Sequence, residues 1–236
     1  MNLQDARILV TGSTSGIGLA IARRLHEGGA RVVLAGRDDA KIAALRAEGW
    51  HVVQADVSRD EDAVRLVREA AEHLGGLDVL VNNAGGGRYA PLLEQDTAEF
   101  RQMLDTNLVG ATVVAREAAR LMVQNGGGQG HGTIINIGSV SGLRGSAGAG
   151  AYSATKFGLR GLTQSWRDEL RPKNIRVSYV APSEVITGFG GSDPASRKNA
   201  DRKIQPEDMA HAVAALIEMD DRAFVTELEV FATNPW

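Results

Sequence analysis

Arg7-Ile8-Leu9-Val10-Thr11-Gly12-Ser13-Thr14-Ser15-Gly16-Ile17-Gly18 is the stretch that decides the fold: a short apolar run, a turn holding three glycines, then the amphipathic pattern Gly16–Glu27. A run this short suits a buried strand and the period after it is helical, so the segment predicts strand, tight turn and helix. Glycine permits the tight turn and a close approach of backbone to ligand, and the first N–H groups of the helix have no partner within it. Such a turn attracts a pyrophosphate. The spacing is Gly-x3-Gly-x-Gly, not the Gly-x-Gly-x2-Gly of the commoner dinucleotide fingerprint, so alone it reads either as a nucleotide cradle or as a structural turn.

Working outward, short β-branched runs predict strands at Arg7–Val10, Val32–Ala35, Val52–Ala55, Val79–Val81, Thr133–Ile137, Val177–Val180 and Leu228–Phe231. Helical patterns lie between them, at Gly16–Glu27, Asp39–Ala47, Glu61–His73, Thr97–Gln124, Ala151–Leu170 and Pro206–Glu218. Near-continuous apolar strands separated by helices imply a parallel sheet covered on both faces. The expected fold is a doubly wound, Rossmann-like α/β sandwich in one domain spanning residues 1–236. Gly126–Gly132 reads as a mobile turn, and the polar, aperiodic stretch Gly188–Lys203 as a flexible substrate loop.

The 236 residues suffice for one such core. With 26 basic against 29 acidic residues and no long run of one sign, nothing suggests binding to nucleic acid or to a membrane surface. The absence of cysteine excludes disulfides and thiolate chemistry. His131 and His211 lack a second ligand at metal spacing, so no metal is expected. Asp5 and Arg7 interrupt the N-terminus before any signal-peptide apolar segment forms, and no stretch is apolar for the length of a membrane span. A cytoplasmic location is the default expectation.

The turn resembles the TGxxxGIG signature of the short-chain dehydrogenase/reductase family, and further motifs of that family follow in order. Asn82-Asn83-Ala84-Gly85 matches its NNAG motif, and Tyr152-Ser153-Ala154-Thr155-Lys156 its YxxxK motif, with Ser139 ending the fifth strand upstream. The resemblance spans nearly the whole chain. It implies an NAD(P)(H)-dependent oxidoreductase with a catalytic tetrad of Asn107, Ser139, Tyr152 and Lys156. It implies cofactor contacts from Gly12, Ser13, Thr14, Ser15, Gly16, Ile17 and Gly18, from Asp56 and Val57 at the adenine, and from Asn83, Ala84 and Gly85. Tyr152, Lys156, Pro182, Val185 and Thr187 would contact the nicotinamide side. A homotetramer is implied too, pairing Thr97–Gln124 and Ala151–Leu170 through Gly110, Ala111, Ala115, Ala118, Ala119, Gly158 and Gly161, unless these small residues pack on the sheet instead.

Tyr152 and Lys156, four positions apart, share a helix face. A phenol with a pKa near 10 needs a shift of about three units, about 4 kcal/mol, to act as acid and base near neutrality. A charge about 4 Å away supplies about 4 kcal/mol at an effective dielectric of 20 and only about 1 in water. Tyr152 would then protonate the carbonyl oxygen as hydride arrives, Ser139 would polarise that oxygen, and Lys156 would grip the ribose; the resemblance gives Asn107 a water linked to Lys156. Asn107 alternatively bonds nearby backbone, Asp56 alternatively caps the turn into Ser58, and Asn83 alternatively serves the sheet.

Gly36 stands where an acid would repel a 2′-phosphate, and Arg37 follows with a fork suited to that phosphate, so NADP(H) is expected over NAD(H). Asp38 and Asp39 either pair with Arg37 or cap the next helix. One departure stands out: Ser183 follows Pro182 where the family has glycine. The substrate is a small carbonyl or alcohol compound. A 3-oxoacyl-thioester reductase is the alternative, with Arg116, Arg120, Arg160, Arg167 and Arg171 as candidates for a basic patch. A non-catalytic NADP(H)-sensing regulator would show a broken tetrad.

Overall fold

The computed structural model describes residues 1–191 and 193–236, so Ser192, within the expected substrate loop, lies outside the described residues. These form a seven-stranded parallel sheet in the order β3-β2-β1-β4-β5-β6-β7. The strands are β1 (Arg7–Val10), β2 (Arg31–Gly36), β3 (His51–Gln54), β4 (Val79–Asn82), β5 (Gly132–Ile137), β6 (Ile175–Pro182) and β7 (Glu227–Val230). The helices are α1 (Gly16–Glu27), α2 (Asp39–Ala47), α3 (Asp60–Leu74), α4 (Thr97–Leu104), α5 (Ala111–Met122), α6 (Gly150–Leu170) and α7 (Pro206–Glu218). This is the doubly wound fold the sequence implies. The chain runs outward from β1 to β3 and returns to β4 beside β1, which opens a crevice at the carboxyl ends of the strands.

Alternation along β1 builds both core layers. Ile8 and Val10 pack with Ile21 and Leu25 of α1 and Val213 and Ile217 of α7. Leu9, pointing the other way, joins Leu66 of α3, Val114 of α5 and Val177 of β6. All ten side chains are fully buried, each contributing about 1.5–3 kcal/mol relative to exposure. Arg7 anchors the start of β1 through Nε and Nη2 to the Asp78 carboxylate, at 2.9 and 2.6 Å.

Caps set the helix starts. Asp38 accepts from the Lys41 N–H and Asp96 from those of Ala98 and Glu99. Gln205 and Asp208 form a reciprocal box around Pro206 at the start of α7. The continuous helix expected over Thr97–Gln124 is interrupted: a π-turn, Asp105–Gly110, separates α4 from α5. A π-turn adds a residue to one turn without changing which residues are apolar, so the pattern runs on across it.

Gly126 and Gly127, at φ 60° and 70°, reverse the chain between α5 and β5. Asn125 Nδ2 donates to the Leu77 and His131 carbonyls there, each at 2.9 Å. The stretch after β6 contains short 3-10 turns at Phe189–Gly191, Pro194–Ser196 and Ala200–Arg202. Its ends are pinned where Val185 pairs with Ile204 and the Ile186 N–H donates to the Ile204 carbonyl, 2.9 Å. No helix among the described residues is long and apolar enough to cross a membrane.

Candidate active site

At the switch point the glycine turn is fixed from behind. Ser13 is buried, its Oγ donating to the Val10 carbonyl (2.7 Å) and accepting from the Ala35 N–H (3.0 Å). Gly12 and Gly16 hold φ 61° and 56°. A Cβ on Gly12 would lie 2.7 Å from Ala84 Cα. Asn83 Nδ2 donates to the Thr11 and Gly12 carbonyls, at 2.9 and 3.0 Å, and the Asn83 and Ala84 N–H groups donate to Thr11 Oγ1. The Asn83 side chain therefore secures the turn. Ser15 caps α1 in an extended conformation without a side-chain hydrogen bond, and no acid occupies the first turn.

A cleft of about 750 Å³ opens over this turn. Gly12, Ser15, Gly16, Ile17, Gly18 and Lys41 line it from one side, and Asn83, Ala84 and Gly85 from the end of β4. From β5, α6 and β6 come Ser139, Tyr152, Lys156, Pro182, Ser183, Glu184, Val185 and Thr187, with Tyr89, Phe189 and Arg197 from the loops. The Tyr152 ring lies between two others, with centroids 5.6 Å from Tyr89 and 5.8 Å from Phe189.

Lys156 Nζ sits 5.8 Å from the centre of the Tyr152 ring and donates to the Ile137 carbonyl at 2.9 Å. Full burial pulls its pKa down to about 8. Burial also raises the Tyr152 phenol above its ordinary value; the neighbouring phenols add to the rise and the Ser139 hydroxyl opposes it. This corrects the expectation that the lysine charge lowers the phenol: desolvation of the phenolate outweighs an ammonium already engaged by Ile137. The proton is thus held on Tyr152.

The π-turn brings Asn107 inward, almost fully buried. Its Nδ2 donates to the Gly86 carbonyl (2.9 Å) and Thr155 Oγ1 (3.0 Å), and its Oδ1 accepts from the Gly86 N–H (2.9 Å). The side chain is therefore committed to the loop after β4 and to α6. Tyr179 of β6 was not singled out from the sequence. Its hydroxyl donates toward the Ser139 and Lys156 carbonyls, at 3.2 and 3.3 Å, and accepts from the Ser139 N–H at 3.2 Å. Gly138 and Gly142 leave its ring the space a side chain would fill. A tyrosine within a strand buried along its whole length carries no periodic signal, so only the fold reveals it.

The model of the short chain dehydrogenase family matches residues 6–198. The chain is a short-chain dehydrogenase. It is 34% identical over 233 residues to an uncharacterized oxidoreductase of Staphylococcus aureus, covering 97% of both chains. Among solved structures, a 3-ketoacyl-(acyl-carrier-protein) reductase from Brucella melitensis complexed with NADH superposes with a TM-score of 0.89 at 28% identity, over 98% of each chain. An alcohol dehydrogenase from Thermococcus sibiricus complexed with 5-hydroxy-NADP gives 0.87 at 27% identity, over 98% of this chain and 97% of that one.

Besides Asn107, five expected cofactor positions of the dehydrogenase stand apart from the cleft lining. Thr14 packs its side chain against Gly36, where a Cβ would lie 3.1 Å from Thr14 Cβ. Val57 is buried beneath Gly110. Asp56 accepts from the Ser58 N–H and Oγ, which is the capping alternative, and also from Arg37 Nη1 at 3.1 Å. Arg37 therefore faces Asp56; Asp38 caps α2, and Asp39 accepts from Gln54. Ser13 is the fifth, turned into the core. Conversely, Lys41, in the first turn of α2, lines the cleft unforeseen. Among the described residues, no group of three or more His, Asp or Glu is placed to hold a metal.

Proposed function

We propose that this dehydrogenase interconverts a carbonyl and a secondary alcohol by hydride transfer with NADP(H), Tyr152 serving as general acid and base. The observation that carries the reading is the buried Tyr152 hydroxyl, beside Ser139 and Lys156, in the same cleft as the glycine turn. Residues 1–236 act as one catalytic unit, with 188–203 as its substrate loop.

The cleft suits a dinucleotide on its own chemistry. The unpaired N–H groups at the start of α1, with neither a side-chain cap nor an acid beside them, favour a phosphate. The turn from Gly12 to Gly18, the strand end Asn83-Ala84-Gly85, and Pro182, Val185 and Thr187 would hold the cofactor, with the backbone after β3 at Asp56 and Val57 near its adenine and Lys156 on its ribose. When bound, it supplies the hydride. Tyr152 donates its proton to the carbonyl oxygen, and the same burial that raises its pKa keeps that proton in place near neutrality. Ser139 donates to the same oxygen and polarises it. Asn107 acts as a positioning residue, fixing Gly86 against Thr155.

Preference for NADP(H) is supported by Gly36, Arg37 and Lys41. The exposed Arg37–Asp56 pair is worth little, so a 2′-phosphate can take the guanidinium at small cost. The Brucella reductase favours a second reading, reduction of 3-oxoacyl thioesters. The arginines that would recognise an acidic carrier do not support it: Arg116 and Arg120 engage Glu117, Arg160 engages Glu227, and neither these nor Arg167 and Arg171 line the cleft.

The test is NADPH absorbance loss over a panel of ketones, aldehydes and 3-oxoacyl thioesters, with nucleotide binding followed by calorimetry. Tyr152→Phe is expected to lower kcat by about 10²–10⁴-fold while leaving nucleotide affinity intact. Retention of kcat within tenfold would overturn the assignment, and binding without turnover of any carbonyl would favour the sensor.

A further inference from the structure

The substrate side of the cleft carries a charge that the reaction itself does not use. Glu184, two residues after β6, receives two cations: Lys203 Nζ at 2.6 Å and Arg197 Nη1 at 3.2 Å. These three groups sum to one positive charge. Lys203 is the more sheltered partner, its side chain 16% exposed, whereas Arg197 is 43% exposed and lines the cleft. Lys203 can therefore keep Glu184 neutralised while Arg197 turns to a ligand. A guanidinium carries five N–H donors in a planar fork, more than one carboxylate oxygen can engage.

Arg197 also acts on the aromatic wall beside the reacting centre. Burial raises the Tyr89 phenol, and the Arg197 charge opposes that rise, which places the charge within electrostatic reach of the Tyr89 hydroxyl. Tyr89 in turn lies against Tyr152, the proposed proton donor. From Tyr152 the wall thus leads over one aromatic ring to a cation. An apolar substrate would leave this cation without a ligand partner; a carboxylate would meet it in a bidentate pair.

We infer that the substrate is a short oxo acid or hydroxy acid whose carboxylate is bound by Arg197, with its carbonyl or hydroxyl carbon at Tyr152. The inference rests on the carbonyl–alcohol reading above and adds the substrate class. Arg197 is the specificity residue, and Glu184 with Lys203 orients it.

The experiment compares acetoacetate and levulinate with their methyl esters as substrates of the NADPH-loaded enzyme, for the parent, Arg197→Gln and Arg197→Lys. The parent should favour each acid over its ester, chiefly through KM. Arg197→Gln should lower kcat/KM for the acids by about 10–100-fold, leave the esters within about twofold, and be partly rescued in Arg197→Lys. Preference for the esters in the parent, or equal losses for acid and ester in Arg197→Gln, would overturn the inference. Binding is read separately, by calorimetry of levulinate and its amide with the NADP-loaded protein. If no ketone is turned over but levulinate binds in an Arg197-dependent way, the carbonyl reading falls and the anion site stands. If turnover occurs without that dependence, the anion site falls alone.

Discussion

Burial is the force that shapes each reacting group, and it acts on the two in opposite senses. Lys156 ionises near 8 in the folded protein and at the ordinary lysine value when unfolded, so between about pH 8 and 10 the unfolded chain holds more protons. Stability should therefore rise with pH across that window, whereas below about 8 the cost of burying the charge is fully present. Above the ordinary tyrosine value the raised Tyr152 reverses the trend, because the unfolded phenol loses its proton first. Lys156→Met should abolish the rising limb and be more stable at pH 7 by about 3 kcal/mol, as read from denaturant melts at each pH. Cofactor choice also belongs to this scale. Arg37→Ile with Lys41→Ala should cut the NADPH-to-NADH ratio of kcat/KM by about 10–100-fold; a ratio left unmoved would place the discrimination elsewhere. Gly36→Asp would be a poorer probe, since its side chain would run into Thr14. Sequence motifs made Tyr152, Lys156 and Ser139 legible, because their spacing follows from a strand end and a helix. They could not show that Asp56 closes on Arg37 or that Tyr179 lies behind Ser139, contacts that depend on which strands become neighbours.

Among the elements, those with local signals at both ends were read most accurately from the chain. Gly16–Glu27, Asp39–Ala47 and Pro206–Glu218 have the bounds expected, set by the glycine turn, the Asp38 cap and Pro206. The π-turn at Asp105–Gly110 has no such mark, since its existence depends on packing between Gly110 and Val57 and between Asn107 and Gly86. The glycine turn separates two roles that the motif alone runs together. Gly12→Ala puts a Cβ against Ala84 backbone at positive φ, so it should cost several kcal/mol and lower Tm markedly. Gly16→Ala meets only Thr187, at 3.4 Å, so its cost should be the conformational one of about 1–2 kcal/mol, while nucleotide affinity falls because the new methyl stands where the backbone must come close. Thermal melts and calorimetry on the two variants separate these outcomes; equal loss of binding with equal loss of Tm would remove the distinction.

For the whole molecule, the small residues expected at a helix pairing surface are mostly spent inside. Ala111, Ala115, Ala118 and Ala119 are buried, Gly110 meets Val57, and Gly158 meets Leu108. Gly161 alone of that set faces open space, with Phe157 exposed on the same helix, at 44%, and Val109 in the π-turn, at 46%. The accessible surface is 11337 Å² for 25.0 kDa, whereas a monomer of that mass is expected to show about 10,200 Å². Leu92 and Leu93, at 89% and 97% exposure, are apolar side chains of the kind an assembly would cover. Light scattering at micromolar concentration is expected to give a homo-oligomer, a tetramer by family resemblance, and a monomer mass would refute it.

The pairing of Val185 with Ile204 has a consequence for how such a molecule changes its chemistry over evolutionary time. With its two ends clasped to each other, the intervening segment is a replaceable cassette: lengthening it costs only logarithmically in closure entropy, and none of its described side chains belongs to the buried layers. A new cassette that kept Thr187 and Phe189 could exchange Arg197 for another group and redirect the cleft to another compound, while the proton donor and the glycine turn kept their neighbours.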